Sequence, residues 1–382
     1  MRVVHVIDSL AASGGAEHGL VREISGFSPD LDQLVVRMFE RDQLEAQLLA
    51  QGIPVHPLGL SARRAGWNWL LGVWRLRKVV RELHPDVIHS SLFTANLVAQ
   101  LVGRLTGTPV VSTFTLSGDR DLLRRFQPGA SSWRGSALRW LAARCARSNL
   151  VWFRALTKDA LVTNCELLGV DPGRARVIPR GIPEHLRASQ VRPRREIGLP
   201  DRRRILLNVG RQTAQKGQDL LVESFSQVVV KIPAHLVIVG REAEASASLR
   251  DLIREKGLQE SVTIAGYTPD VPSFYAHASV FVFTSQMEGL GTAVLEALAW
   301  DLPVVAFDIP PVREATDDGR LARLVPVGDV EALTAAVLET LEADPAESTA
   351  RSDWVAQNRS IDLIASKVES LIREVVSLSR AR

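Results

Sequence analysis

Two glutamates and two glycines share one short stretch of this chain, SQMEGLGTAVLEALAWDLPVV, residues 285–305. Glu288 and Glu296 are eight positions apart, with Gly289 and Gly291 between them. The stretch runs from a polar loop into a helical pattern and then into an apolar strand. Glutamate and glycine are common where a loop becomes a helix. The stretch alone therefore leaves two interpretations: ordinary loop-end composition, or carboxylates that grip a ligand.

A second group of chemically useful residues lies in NVGRQTAQKG, residues 208–217. Arg211 follows Gly210, where an apolar strand ends, and Lys216-Gly217 opens a predicted helix. Backbone amides at a helix start attract anions. Arginine adds a planar fork of donors and lysine a point charge. Solvated surface charge is the usual alternative, but the placement of both cations at one turn favours phosphate binding. The P-loop motif is absent.

Other strand ends carry weaker candidates. Gly14 and Gly15 precede a predicted helix, which fits an anion site and a simple tight turn equally well. The dinucleotide fingerprint G-x-G-x-x-G is absent there. Gly240 and Tyr267 follow two later strands, and Tyr267 fits either a nucleotide base or packing. His89, in the strand pattern DVIH, faces either a cleft or the core.

The elements that must position these residues form a regular pattern. Short runs rich in Val and Ile recur, each followed by a longer helical pattern. The first series is 2–8, 33–39, 86–90, 108–114, 149–153 and 175–179, and the second is 204–210, 234–240, 261–266, 280–285 and 302–308. Strands alternating with helices predict parallel sheets covered on both faces. Two series predict two doubly wound α/β domains, whose ligands bind beyond the carboxyl ends of the strands.

The domain organisation follows from the segment between the two series. Residues 187–203 are polar and contain two prolines, which predicts a connection between domains 1–186 and 187–360. The remaining tail, 361–382, carries a single apolar stripe typical of one helix. The stripe consists of Ile361, Ile364, Val368, Leu371, Val375 and Leu378. We expect this helix to pack back on the first domain, and a dimer interface is the alternative.

Composition excludes several classes of protein. The 382 residues include 46 Lys and Arg against 43 Asp and Glu, a net charge of +3, so there is no general argument for nucleic acid. Two cysteines, Cys145 and Cys165, exclude a disulfide framework and argue against a thiolate metal site. The sequence contains no run of about 18 apolar residues, so it predicts no membrane span. The opening lacks the apolar core of a signal peptide, so we expect a cytoplasmic protein.

Together these motifs resemble the retaining, nucleotide-sugar-dependent glycosyltransferases of family 4, which have the GT-B fold. The pieces that carry the resemblance are SGGAE (13–17), VIPRGI (177–182), VGRQTAQKG (209–217), VIVG (237–240), VTIAGY (262–267) and EGLGTAVLEALAWDLPVVA (288–306). The resemblance implies two Rossmann-like domains facing a central cleft, with the C-terminal helix crossing back to the first. It implies a nucleoside-diphosphate sugar as donor and a glycan, lipid or small metabolite as acceptor.

The resemblance also implies roles for individual residues. Arg211 and Lys216 would hold the donor diphosphate, Glu296 the ribose hydroxyls, and Glu288 the donor sugar. The catalytic set is then Glu288, Arg211 and Lys216. The expected substrate-binding set is Gly14, Gly15, His89, Arg211, Lys216, Gly240, Tyr267, Glu288, Gly289, Leu290, Gly291, Thr292 and Glu296. No D-x-D motif stands in a suitable position, so we expect neither a metal nor another cofactor.

The chain departs from the family pattern at several positions. Where the family often has an acceptor-side His, this sequence has Phe114 or Thr115, and the usual hinge Asn is Arg180. The other departures are Pro183, Asp301 and the pair Pro310-Pro311. The missing His motivates a second hypothesis, a catalytically silent subunit that binds a nucleotide sugar or a partner.

Residues 120–158 are strongly basic, with nine Lys or Arg and one acidic residue. Trp133, Trp140 and Trp152 are interleaved with them. Basic residues with tryptophans suit peripheral contact with an anionic membrane at its inner face. The alternative is a solvated arginine-rich face whose tryptophans lie in the core.

Overall fold

A computed structural model describes most of the chain. The described residues are 1–12, 15–61, 65–115, 122, 125–126, 133–186, 190–343 and 349–381. The chain forms two compact units, one of residues 1–181 with 361–382 and one of residues 182–360. The division falls after Gly181, whereas the sequence placed it after residue 186.

The first unit is built on a seven-stranded parallel sheet. Its strands are β1 Arg2–Ile7, β2 Asp32–Phe39, β3 Val55–Leu60, β4 Val87–Ser91, β5 Val110–Phe114, β6 Val151–Ala155 and β7 Ala175–Val177. Their order is β3-β2-β1-β4-β5-β6-β7. The sequence did not predict β3. This strand lies at the sheet edge, half of it is exposed, and it contains Pro57 and Gly59, so it lacks the apolar run of a central strand.

Helices cover both faces of this sheet. They are α1 Gly15–Ile24, α2 Glu45–Ala50, α3 Ala65–Leu83, α4 Phe93–Thr106, α5 Trp133–Ala146 and α6 Lys158–Leu168. Side chains of β1 alternate between the faces, as a period of two requires. Val4 and Val6 pack with helices α3 to α6, whereas Val3 and Ile7 pack with α1.

The second unit has a six-stranded parallel sheet. Its strands are β8 Arg204–Val209, β9 Ala234–Val239, β10 Val262–Gly266, β11 Val280–Phe283, β12 Val304–Phe307 and β13 Arg323–Val325, in the order β10-β9-β8-β11-β12-β13. Its helices are α7 Gln218–Val228, α8 Ser246–Glu255, α9 Val271–His277, α10 Thr292–Ala299, α11 Pro310–Ala315, α12 Val330–Glu342 and α13 Ala350–Arg359. The sequence missed β13, an edge strand of three residues that is too short to show a periodic pattern.

The polar segment before β8 is part of the second unit. The Arg192 guanidinium donates to the Asp270 carboxylate at 2.6 Å, and its backbone amide donates to Ser273 Oγ at 2.9 Å. Arg194 Nη2 donates to the His277 carbonyl at 3.1 Å. These arginines fasten residues 190–203 to α9 and its N-cap. The described part of the predicted connection, 190–203, therefore packs on the second unit, to which the sequence also assigned the residues from 187 onward.

The last helix, α14 Ile361–Arg380, belongs to the first unit. Ile364, Val368, Leu371 and Val375 are buried in the core beside α1. This confirms that the helix returns to the first domain. The buried stripe is accounted for within a single chain, without the dimer interface that was the alternative. The last residue of the predicted stripe, Leu378, is not buried, because 41% of its surface is exposed.

The described side chains of the basic region 120–158 do not all lie on one surface. Trp152 lies in β6 and is buried, and Trp140 is 68% exposed. The side chain of Trp133 lies outside the described residues. Arg154 is buried in an ion pair with Glu23, 2.5 Å between Nη1 and Oε1. No described helix is both long enough and apolar enough to cross a bilayer.

Candidate functional site

The predicted donor-binding residues of the second unit lie at one edge of its sheet. Because all six strands are parallel, their carboxyl ends meet at this edge. Arg211 follows β8, Gly240 follows β9, Tyr267 follows β10 and Glu288 lies in the loop after β11. Hydrogen bonds join neighbouring strand ends, from Gly240 N to the Gly266 carbonyl at 2.8 Å and from Gly210 N to the Val239 carbonyl at 2.9 Å.

Lys216 and Glu288 form a direct ion pair at this edge, between Nζ and Oε1. The two side chains are only 15% and 13% exposed. The Lys216 ammonium also lies 5.3 Å from the ring centroid of Phe283, within cation–π range. The pair joins the turn after β8 to the loop after β11. The structure thus brings two of the three predicted catalytic residues into contact.

The turn that carries Lys216 depends on glycine. Gly217 has φ +58°, and a Cβ there would lie 2.4 Å from the Thr284 carbonyl oxygen. Thr284 Oγ1 donates to the Lys216 carbonyl at 3.0 Å, and Gln286 N donates to the Gln215 carbonyl at 2.8 Å. The close approach that Gly217 permits is what fixes the lysine beside the β11 loop.

Gly240 has the same kind of role on the neighbouring strand. Its φ is +149°, and a Cβ there would lie 2.0 Å from the Gly210 carbonyl oxygen. A side chain at Gly240 would push the β8 and β9 ends apart. The sequence placed this glycine in the binding set, and the structure shows a packing reason for it.

Glu296 lies within α10, as predicted, one turn after Thr292. Its Oε2 is 3.2 Å from the Tyr275 hydroxyl, which is also 3.3 Å from the Ala293 carbonyl. Tyr275 is 1% exposed, on α9. Glu288 therefore contacts Lys216, whereas Glu296 contacts Tyr275.

The other predicted residues between Glu288 and Glu296 lie in the loop after β11 and at the start of α10, where the sequence placed them. Leu290 is buried, and Gly291 is the N-cap of α10 with φ +80°. Gly289 and Thr292 are half-buried on either side. Arg211, in contrast, is exposed at the β8 end, whereas Lys216 is paired. Tyr267 is 49% exposed.

Sequence reasoning missed three buried polar groups beside the Lys216 turn. Gln212 Oε1, Thr213 Oγ1 and Ser285 Oγ are buried and have no hydrogen-bond partner among the described residues. Buried polar atoms are nearly always paired with protein, water or ligand. These three atoms carry no sequence signal of their own, because Ser, Thr and Gln occur throughout the chain. Tyr275 is one of only two tyrosines, but its contact with Glu296 depends on packing that the sequence does not show.

The candidates in the first unit are less well placed for binding. Gly14 lies outside the described residues, and Gly15 is exposed at the start of α1. His89 lies inside β4, paired in register with His5 of β1, and is 1% exposed. The structure therefore places His89 in the core and does not bring it to the strand end.

His5 and His89 form a hydrogen-bonded pair, with 3.0 Å between their Nδ1 atoms. Burial lowers the pKa of His5 to about 4. Burial, then the neighbouring His5 and the charges of Arg154 and Arg180, hold the pKa of His89 well below its usual value. Both rings are neutral at pH 7, so one Nδ1–H donates to the other Nδ1.

Two of the departures from the family pattern are explained by packing in the first unit. Phe114 is buried and stacks on Phe153, with ring centroids 4.3 Å apart. Arg180 is buried, donates to the Ala16 carbonyl at 3.1 Å and lies against Gly19, where a Cβ would meet its guanidinium at 1.6 Å. Burial lowers the pKa of Arg180 to about 10, which leaves it charged at pH 7.

The departures in the second unit are also accommodated locally. Asp301 has φ +57°, a conformation that Asp tolerates better than most residues, and its carboxylate accepts from Ser352 N at 2.8 Å. Pro310 and Pro311 occupy the first turn of α11, where a missing N–H costs little. Among the described residues there is no group of three or more His, Cys, Asp or Glu that would hold a metal.

Comparison with solved structures defines the fold. The crystal structure of Anabaena Alr3699/HepE in complex with UDP matches with a TM-score of 0.80 at 19% identity, covering 98% of this chain and 100% of that one. The fold is therefore the GT-B fold of glycosyltransferases.

Sequence comparison then gives the family. Residues 3–181 match the family described as "Glycosyl transferase 4-like domain", and residues 190–371 match "Glycosyl transferases group 1". With both units matched in this order, the chain belongs to the family 4 glycosyltransferases.

Two curated relatives illustrate the range of the family. An uncharacterized glycosyltransferase, MJ1059 of Methanocaldococcus jannaschii, is 41% identical over 105 residues, which span 27% of this chain and about a quarter (26%) of that protein. The GDP-mannose:cellobiosyl-diphosphopolyprenol alpha-mannosyltransferase of Xanthomonas campestris is 28% identical over 348 residues, covering 84% of this chain and 82% of that protein.

Proposed function

We propose that this protein transfers a sugar from a nucleoside-diphosphate sugar to an acceptor hydroxyl or amine, with retention and without a metal. The observation that carries the proposal is the Lys216–Glu288 ion pair at the carboxyl edge of the second sheet. It holds a cation and a carboxylate together where ligands of doubly wound sheets bind. Family membership supplies the reaction class.

The proposed chemistry rests on stabilisation of the leaving group. As the glycosidic bond breaks, negative charge grows on the departing diphosphate. Lys216 and the amides at the start of α10 stabilise that charge because they are held in place beforehand. Exposed Arg211 adds a second cation at the same edge. These protein cations take the part that a metal plays elsewhere. Glu288 lies beside the donor sugar and keeps Lys216 at its turn.

The relatives support a nucleoside-diphosphate sugar as donor but do not indicate which nucleotide base it carries. One relative's name specifies GDP-mannose and one structural neighbour holds UDP, so the two differ in base.

Retention is proposed through a front-face displacement in which the leaving phosphate takes the acceptor proton. The position where the resemblance places a His is Phe114 or Thr115, and neither side chain can act as that base. Glu296 is assigned to the ribose, so no covalent sugar–enzyme intermediate is expected. Mass spectrometry of denatured enzyme after incubation with donor tests this step, and a glycosylated peptide would overturn it.

A thermal-shift screen of nucleotides and nucleotide sugars tests the donor site. Ligand that binds the folded state raises the unfolding temperature by mass action. The shift should disappear in Lys216→Ala and Arg211→Ala. Arg202→Ala, on an exposed residue of the same unit, is the matched control and should keep it. An unchanged shift in Lys216→Ala would remove the diphosphate assignment.

A second candidate is a silent subunit that binds a nucleotide sugar without transfer. The burial of Phe114 in the core favours it, because that side of the site then lacks the familiar His. Slow hydrolysis of the donor without acceptor, lost in Lys216→Ala, supports the enzyme. A thermal shift without turnover over a broad donor and acceptor panel supports the silent subunit.

The proposal includes a place of action at the cytoplasmic face of a membrane. Within residues 120–158, exposed Trp140 supports such a contact, whereas buried Trp152 and ion-paired Arg154 do not. Acceptor glycans carried on lipids would be reached from this position.

A further inference from the structure

The outer side of one helical layer in the first unit exposes large apolar side chains. Helices α3, α4 and α5 cover the same face of the first sheet, with α4 packed against both α3 and α5. Trp74 on α3 is 64% exposed and Trp140 on α5 is 68% exposed. Leu105 at the end of α4 is 52% exposed. We call the outer side of α3, α4 and α5 the outer helical surface.

Helix α3 has a clear two-sided pattern. Leu76, Val79 and Val80 are buried against the sheet. On the opposite side, Leu70, Trp74, Lys78 and Arg81 recur at spacings of three and four and are all exposed. Leu71 beside Leu70 is exposed as well. The exposed side is therefore apolar in its first half and cationic in its second.

Charge on this layer is strongly one-sided. The described side chains of α3, α4 and α5 include seven Lys or Arg and one carboxylate, Glu82, which lies 3.8 Å from Lys78. Helix α14, on the other face of the sheet, has three basic and three acidic residues. These three helices are therefore more basic than the chain as a whole, which has 46 basic and 43 acidic residues. Arg75 and Arg104 donate to backbone carbonyls within the unit, whereas Lys78 and Arg81 are exposed.

We propose that the outer helical surface binds the anionic face of a lipid bilayer. Tryptophan prefers the headgroup region, leucine the acyl boundary, and Lys and Arg the negative surface potential. The exposed leucines favour lipid over nucleic acid, which pairs cations with stacking aromatics rather than with aliphatic side chains. The surface extends to α3, outside the 120–158 region, and its binding does not depend on the reaction proposed above.

Co-sedimentation with vesicles tests the proposal on the full chain. The protein should bind vesicles of phosphatidylcholine with about a third phosphatidylglycerol, and bind phosphatidylcholine alone much more weakly. Binding should weaken as salt is raised, because salt screens exposed charges. Failure of the wild-type protein to bind anionic vesicles at low salt would overturn the proposal.

Matched variants separate the apolar and cationic contributions. Lys78→Gln with Arg81→Gln should lower the partition coefficient about five-fold per charge. Trp74→Ala with Trp140→Ala should lower it at least as much. The controls are Arg202→Gln and Val230→Ala in the second unit, where Val230 is 85% exposed. All six substitutions are at exposed positions, and unchanged thermal unfolding checks that the variants fold.

Three outcomes would contradict the membrane assignment. One is an equal loss of vesicle binding in the control variants. Another is tight binding to duplex DNA, lost in Lys78→Gln with Arg81→Gln, without vesicle binding. The third is a homodimer that Trp74→Ala with Trp140→Ala dissociates, since the surface would then be an interface between copies. The donor thermal shift is unaffected in each case, so failure here leaves the proposed reaction standing.

Discussion

At the scale of single residues, the second unit assigns separate partners to its two glutamates. Glu288 pairs with Lys216, and Glu296 accepts from Tyr275. A carboxylate can accept hydrogen bonds at both of its oxygens. That arrangement suits two adjacent hydroxyls of a ribose better than proton transfer.

Glu296→Gln should therefore reduce discrimination between a ribonucleotide and its 2′-deoxy form. A hydrogen bond to a charged group contributes about 1.5–3 kcal/mol, so the ribose preference should fall ten-fold or more. Tyr275→Phe, which removes only the orienting hydroxyl, should cost about five-fold in affinity. Calorimetric titration with both nucleotides measures the two effects.

The matched control for this experiment is Glu255→Gln, at an exposed position in the same unit. It should leave both affinities unchanged. If Glu296→Gln keeps the full preference for ribose, the assignment of Glu296 to the ribose is wrong.

At the scale of elements, the last helix shows that an apolar stripe contributes to stability only where it is buried. Leu371 is 2% exposed in α14, and Leu378, two turns later, is 41% exposed. The two leucines share one helix and one stripe. Only the first belongs to the buried core beside α1.

Leu371→Ala should lower the free energy of unfolding of the first unit by about 2–5 kcal/mol, through lost burial and a cavity. Leu378→Ala, the matched control, should change it by no more than about 0.5 kcal/mol. Urea unfolding, followed for each unit because two units can unfold separately, measures both. Equal losses would mean that α14 does not pack as described.

At the scale of the whole molecule, the buried pair His5 and His89 links global stability to pH. Both pKa values are lowered by burial, that of His5 to about 4 from 6.5. Between these values the unfolded chain binds more protons than the folded one. Protonation of these histidines therefore does not lower the free energy of unfolding above pH 6.5, but lowers it progressively as the pH falls toward 4. Asp8 opposes this in part, since burial raises its pKa to about 6.

Acidification from about pH 7.5 to pH 5 should therefore lower the unfolding temperature of the first unit. The double variant His5→Leu with His89→Leu should show a smaller drop over the same range, or a gain from Asp8, whatever its stability at pH 7.5. Differential scanning calorimetry at both pH values measures the drop. A drop of the same size in both proteins would show that other groups control it.

The sequence by itself determined the parallel α/β class, both series of strands, the return of the last helix and the family. Local sequence patterns indicate these features: apolar runs with period two, a stripe with period 3.6 and motifs at turns. It also located Lys216, Glu288 and Glu296, because strand ends of a parallel sheet meet at one edge.

Only the tertiary structure decided which of these residues touch. Tyr275 contacts Glu296, and His89 lies in the core rather than at the strand end. Phe114, Arg180 and the short edge strands β3 and β13 likewise depend on neighbours far away in sequence. The physical reason is that burial and pairing are properties of surroundings, which residue type and spacing do not specify.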